Sequence, residues 1–328
     1  MENPASLKSL PDQNPAEDAP ADAAEAHDLD PATNDAATKD AAPFLLGRIG
    51  TDEGGTLPSN TISRRTQNGE EVLPVIHPDR QRPHFDFPKA YRHFSILVKD
   101  KDRTDELFGV LDALPWRSVG EEAAAFLATE RGRKIYQSEP FLPEILDDHA
   151  FLRRMPKGSF ADTYCNFMER EGLTAAGLIE EANVTRRTIP KLRDGVEWYN
   201  DRLRDTHDIL HVLTGYGRDT LGEQCLLAFL YDQRPSPGHL FLGWAGTLLM
   251  KAKLKTEAPV LKAFRQARRN GRLTQRIVEQ PILELLPLPM DEVRRKLNIG
   301  EPTYYFEALE TWRREGVDPH ALLGAQPA

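Results

Sequence analysis

From residue 85 onward, apolar residues return every three or four positions. AYRHFSILVKD (90–100), DRTDELFGVLDAL (102–114) and EEAAAFLATERGRKIY (121–136) all carry this period, which marks one face of an α-helix. FADTYCNFMEREGL (160–173) places Phe160, Tyr164, Phe167 and Met168 on one stripe, with Gly172 as a stop signal. VEWYNDRLRDTHDILHVLTG (196–215) and TLGEQCLLAFLYDQ (220–233) form the next pair. RPSPG then breaks the pattern before an apolar run at 239–250, and a basic segment, APVLKAFRQARRNGR, follows at 258–272. Alternation of apolar and polar positions, the period of a strand, is almost absent. The pattern predicts an all-α fold built as a single helical domain.

Before residue 85 the pattern fades. Residues 1–42 are rich in Ala, Asp, Pro and Asn. They bury too little surface to offset the entropy of ordering, which predicts a disordered acidic N-terminal tail. Residues 43–84 read as a linker that drapes over the body, 85–300 as the helical domain, and 301–328 as a C-terminal extension. The net charge of −9 is concentrated in the tail: residues 1–42 hold ten acids and two lysines, −8, and the other 286 residues hold 41 acids and 40 bases, −1. A duplex-DNA binder needs a surplus of Lys and Arg, so no nucleic-acid partner is expected.

Two cysteines, Cys165 and Cys225, without a CxxC, argue against a disulfide framework or a thiolate zinc site and fit a reducing compartment. The acidic N-terminus has no apolar signal core and does not read as a transit peptide. No apolar run reaches the length of a bilayer-spanning helix. The expected location is cytoplasmic.

The chemistry concentrates in RLRDTHDILHVLTGYGRDTLGE (202–223), which gathers His207, Asp208, His211 and Glu223. The helix is expected over 197–214. At about 100° per residue the first three lie near 0°, 100° and 40°, on one face. Histidines at i and i+4 can grip one metal ion from one helical turn. The loop GYGR reverses the chain, Asp219 or Thr220 caps the next helix, and Glu223 on its first turn faces the histidines. Two imidazoles with one or two carboxylates suit zinc, iron(II) or manganese, leaving positions for substrate. The plain alternative is a solvated polar face. A zinc peptidase of the HExxH type is a weaker comparison, because Asp208 stands where the catalytic Glu would be and reaches less far. The remaining histidines, at 27, 77, 84, 93, 149, 239 and 320, are isolated along the chain and read as surface or core residues.

HDxxH, eleven residues, then Glu resembles the signature of the coenzyme Q biosynthesis protein 4 family. Arg202 and Arg204 sit as in the family's RxRxxHD, and Gly222 precedes Glu223. MPKGSFADTYCNFMEREGL (155–173) and GRLTQRIVEQPILELLPLPMDEVRRKLNI (271–299) resemble two further family segments, so the likeness covers roughly 85–300. Ala161 departs from a common Gly. The acidic tail and the segment after 300 are not family features, and neither is expected to touch the motif.

The resemblance implies a helical, membrane-associated protein of ubiquinone biosynthesis. It implies one divalent metal ion at His207, Asp208, His211 and Glu223, with these residues also catalytic. It further implies oxidative decarboxylation at ring carbon 1 of a polyprenylated hydroxybenzoate, a carboxylate giving way to a hydroxyl. Asp208 either ligates directly or orients His211. Arg202 and Arg204 are candidates to pair with an anionic substrate, and Phe160 and Tyr164 to line a channel for its isoprenoid tail; solvated charges and ordinary core are the competing readings. Expected partners are the prenylated quinone precursor, other ubiquinone-biosynthesis enzymes, and an anionic membrane touched peripherally on its cytoplasmic face. A homo-oligomer is also compatible. The membrane expectation has its own signal: residues 251–276 carry nine Lys or Arg and one acid, directly after the apolar run. The alternative to an enzyme is a non-catalytic lipid-binding scaffold that presents quinone intermediates to others.

Overall fold

A computed structural model describes residues 60–66, 69–100, 103–177 and 191–320. The tail at 1–42 and the linker residues 43–59 lie outside the described residues. The described part is helical throughout, apart from one small hairpin.

That hairpin pairs Thr61–Thr66 with Gly69–Pro74, antiparallel, Thr61 opposite Pro74. Period-two reading misses it because its core contribution is small. Ile62 is buried, whereas Val72 keeps 48 % exposure. Val75 follows the second strand, and its carbonyl accepts from Val196 N–H at 3.1 Å. The hairpin thus docks on the body, in one apolar cluster with Trp116, Phe126, Leu127, Trp198 and Tyr199. Part of the segment read as a linker, within residues 60–84, is thus packed on the body.

Helices follow where the apolar period places them. Phe87–Lys99 starts at Asp86, whose carboxylate accepts from Lys89 N–H at 2.9 Å. Phe160–Glu171 begins at Ser159 and ends at Gly172, as its sequence suggests. It packs against His207–Thr214 and shares the main core, around Phe160, Phe229, Phe264 and Trp312, with Thr220–Gln233, Val260–Leu273 and Thr303–Glu315.

The helix expected over 197–214 is two helices, Gly195–Asp205 and His207–Thr214. The break is at Thr206, whose backbone relaxes to φ −87°, ψ 4°. Its hydroxyl donates back to the Arg202 carbonyl at 2.9 Å, a bond that bends helices.

The segment after 300 also departs from expectation. Thr303–Glu315 is a helix whose Tyr305, Ala308 and Trp312 are buried in the main core.

Candidate metal centre

His207 and His211 stand one turn apart on the short helix, their ring centroids 5.0 Å apart and nearly perpendicular. That helix ends at Gly215, which adopts φ +77°, a left-handed conformation that suits glycine. Tyr216, Gly217 and Arg218 then turn the chain. Asp219 caps Thr220–Gln233 by accepting from Leu221 N–H and Gly222 N–H, both at 3.1 Å. Glu223 lies on the first turn of that helix. Its carboxylate returns to within 3.5 Å of His211 Nε2.

One ligand atom from each of His207, His211 and Glu223 lies within 4.8 Å of the others. The three residues thus converge as their spacing predicts. His211 carries the clearest sign of purpose. Its Nδ1 is 2.9 Å from the Tyr216 carbonyl, which can only accept. Nδ1 must therefore hold the proton in the neutral ring, and Nε2 presents a bare lone pair. That Nε2 is buried and has no hydrogen-bond partner. Phe167 stacks on the same ring at 5.8 Å with an 18° interplanar angle, holding its plane. A buried acceptor with nothing to accept from costs free energy; a metal ion would satisfy it.

Electrostatics agree with this donor set. Burial pushes His207 well below the usual imidazole range, and nearby His211, Arg234 and Arg218 push it the same way. Burial also lowers His211, against the raising effect of the Tyr216 carbonyl. Both rings are held neutral, the form that ligates. Burial lifts the Glu223 carboxyl to about 7, against the pull of Arg218. The side chain keeps 30 % exposure, so water relieves part of that shift.

Asp208 falls outside the converging trio. It is buried, and burial raises its carboxyl while His211 and Arg218 pull it down. The residue that orients His211 is Tyr216, through its carbonyl, and not Asp208.

Arg202 and Arg204 are engaged elsewhere. Arg202 is buried and donates to Val278 O at 2.7 Å, Gln280 O at 2.6 Å and Glu139 Oε2 at 2.6 Å. Arg204 pairs with Asp201 at 3.0 Å and Asp205 at 2.7 Å. Phe160 and Tyr164 are fully buried in the main core rather than on an open channel. Tyr164 is the more interesting of the two: its hydroxyl has no partner and feels the charge of Asp208.

Two residues near the trio carry no signal in the sequence pattern. Arg218, half-buried in the turn, acts electrostatically on His207, Asp208, His211 and Glu223. Among the described residues it makes no hydrogen bond or ion pair. His239 begins the next helix and is buried, with Nδ1 unpartnered, and interacts with His207. A loop arginine and a lone histidine look ordinary until the fold brings them inward.

The family model for coenzyme Q (ubiquinone) biosynthesis protein Coq4 matches residues 122–303, more than half of the chain. This chain belongs to the Coq4 family. The match starts later than the likeness read from sequence, leaving 85–121 outside it, and stops two residues before Tyr305.

Among curated relatives, the ubiquinone biosynthesis protein coq4, mitochondrial, of Aspergillus clavatus is 25 % identical over 199 residues, covering 58 % of this chain and 64 % of that one. The Neurospora crassa relative, with the same description, is 25 % identical and is covered over 52 % of its length. That of Penicillium rubens is 27 % identical over 188 residues, covering 54 % of this chain and 60 % of its own. This chain thus spans less than two thirds of the length of these relatives. A crystal structure from Nostoc punctiforme, 20 % identical, covers 65 % of this chain and 98 % of its own with a TM-score of 0.49.

Proposed function

We propose that this Coq4-family chain serves ubiquinone biosynthesis as a metal-dependent enzyme, and that its step is oxidative decarboxylation at ring carbon 1 of a polyprenylated hydroxybenzoate. The observation that carries the metal is the bare, buried Nε2 of His211 facing His207 and Glu223. The reaction and substrate come from the family. The ring carboxylate leaves as carbon dioxide and a hydroxyl oxygen replaces it, a two-electron oxidation that needs an oxidant of the dioxygen class.

His207, His211 and Glu223 would hold the ion, and zinc, iron(II) and manganese all accept two imidazoles and a carboxylate. Bound there, it would supply a Lewis acid to neutralise the substrate's carboxylate. The chain's own residues do the remaining work. Tyr216 keeps His211 in the ligating tautomer. Arg218, without an ion pair among the described residues, would offer its charge to an anionic ring, the role first expected of Arg202 and Arg204. The Phe167 ring, stacked on His211, holds the plane of that ligand.

Membrane contact belongs to the same reading, since the substrate is a lipid. Among the described residues no helix is long and apolar enough to cross a membrane. The Pro237–Lys253 helix exposes Phe241, Leu248 and Leu249 and ends in the exposed Lys251 and Lys253. Phe241 packs on Phe94 at 4.7 Å, and the helix of Phe94 also exposes Phe87, Tyr91 and Val98. Apolar side chains bordered by lysines suit the surface of an anionic bilayer. The basic Val260–Leu273 helix contributes less: its apolar face is buried in the core, and Arg268 is tied to Asp232 at 2.9 Å.

Metal content by mass spectrometry, on chain purified without chelators, tests the centre. About one equivalent in the parent and none in His211→Ala, with helical content kept, is the expected result. In a quinone-deficient host, His211→Ala should then accumulate a carboxylated ring intermediate. Normal quinone production by His211→Ala would sink the enzyme and leave the lipid-presenting scaffold.

A further inference from the structure

We propose that Tyr305, in the C-terminal segment beyond the family match, is a positioning residue for the metal centre. The proposal rests on the metal reading above and adds a component of the site supplied from outside the motif.

Tyr305 lies on the Thr303–Glu315 helix and is 2 % exposed. Its hydroxyl makes two bonds, both to the loop between the ligand helices. Gly217 N–H donates to the Tyr305 oxygen at 2.9 Å. The Tyr305 O–H donates to Asp219 Oδ2 in a short bond. Its ring meets the Tyr216 ring edge-on at 5.5 Å. One side chain therefore engages three residues of the loop beside the site, Tyr216, Gly217 and Asp219.

Each of these contacts leads to a ligand. Tyr216 supplies the carbonyl that sets the proton on His211. Asp219 caps the helix of Glu223, and its own carbonyl accepts from Glu223 N–H at 3.0 Å. Gly217 lies between them. The Tyr305 hydroxyl thus ties the Gly217 backbone amide, which follows the Tyr216 carbonyl that orients His211, to the Asp219 carboxylate that caps the helix of Glu223. Phe306 and Pro302 add to the hold by lying within 3.6 Å of where a side chain on Gly215 would begin. The helix is itself anchored far from the site. Trp312 is fully buried, and its ring N–H donates to Thr256 Oγ1 at 3.1 Å.

The alternative is that Tyr305 merely fills the core. The two differ in what removing one oxygen does. Tyr305→Phe keeps the ring and its packing but leaves the Gly217 N–H and the Asp219 carboxylate without their partner. Loss of a group bonded directly to a metal ligand costs about 10–100-fold in metal affinity; the Tyr305 hydroxyl acts one bond further out, through Gly217 and Asp219, so the lower end of that range applies. Ala308→Gly, on the same helix and fully buried, lowers stability and removes no hydrogen bond from the loop.

The test uses the full chain and cobalt(II) as probe, with affinity measured by chelator competition, the visible spectrum of the bound ion, and the 15N shifts of the His211 ring without metal. Expected are a loss of at least tenfold in cobalt affinity and an altered spectrum for Tyr305→Phe, with parental values for Ala308→Gly despite a lower Tm. Parental affinity and spectrum in Tyr305→Phe would overturn the proposal. So would an equal loss of affinity in both variants, which marks a packing role. If the parent takes up no cobalt, the metal reading has failed by itself. The 15N shifts then decide: an unchanged His211 tautomer in Tyr305→Phe overturns the positioning role, and a shifted one upholds it.

Discussion

Two buried polar clusters sit on consecutive helices, and they are built in opposite ways. Around Arg202, on Gly195–Asp205, the guanidinium meets Glu139 and two carbonyls, and Glu139 also accepts from Leu283 N–H at 2.7 Å. Only Nη1 is without a partner. Around His211, on His207–Thr214, one ring nitrogen is tied off and the other faces two further ligand-type side chains with nothing between them. The first cluster is satisfied apart from that one nitrogen and joins three segments of chain. The second is open toward one point. A buried charge tied to several partners is part of the scaffold, whereas a bare ring nitrogen that faces two other ligand-type side chains has the donor set of a metal site.

The sharpest way to break this contrast is at Arg202. Arg202→Met strands Glu139 in the interior and should cost about 3–5 kcal/mol, since removing one member of a buried pair leaves an uncompensated charge. Urea unfolding measures it, and Arg202→Met with Glu139→Leu should recover much of the loss. If Arg202→Met is neutral, the first cluster is not structural.

The open cluster should respond to ligand loss through metal and not through stability. His211→Ala should lose metal by more than the ~10–100-fold of an outer partner, while the metal-free Tm stays near the parent's.

A pH series sharpens the same point. The Glu223 carboxyl is raised from its ordinary 4.5 to about 7 by burial. A raised acid stabilises the fold fully below its unfolded value, so this contribution declines as pH climbs from about 4.5 to about 7. The lowered histidines act with opposite sign: their contribution is present above the ordinary 6.5 and is lost as pH falls. Metal must displace the Glu223 proton, so affinity should strengthen toward about pH 7, by at most about tenfold per unit, and then level off. Calorimetry in two buffers counts the proton, and Glu223→Gln should abolish its release.

The smallest effect is expected at Tyr164. Its hydroxyl is buried and unpartnered, so Tyr164→Phe should leave Tm unchanged or slightly higher. A lower Tm would show that the hydroxyl is bonded after all.

The sequence made the local part of this visible. The spacing of His207, His211 and Glu223 is a statement about helical turns and one loop, and apolar periodicity locates the helices that carry them. What stayed hidden is non-local. Nothing in RxRxxHD says that Arg202 meets Glu139, 63 positions earlier, rather than a substrate. Thr206 interrupts a run that by periodicity is one helix, through a side-chain bond that apolar patterning does not register. The hairpin has too few apolar residues to show its period. Tyr305 is an ordinary helix residue until Gly217, 88 positions away, comes beside it.

Gly222 carries one more consequence. A methyl group there would lie 2.0 Å from the Gly217 carbonyl oxygen, so the loop folds flat against the helix it introduces. No slack remains in the turn to absorb an extra residue. One residue inserted or deleted between Asp219 and Glu223 would rotate the carboxylate by about 100° around its helix, away from the histidines. The eleven residues between His211 and Glu223 therefore act as a ruler: their number is a length cut to fit, and a search for other sites of this kind can treat it as a dimension as much as a motif.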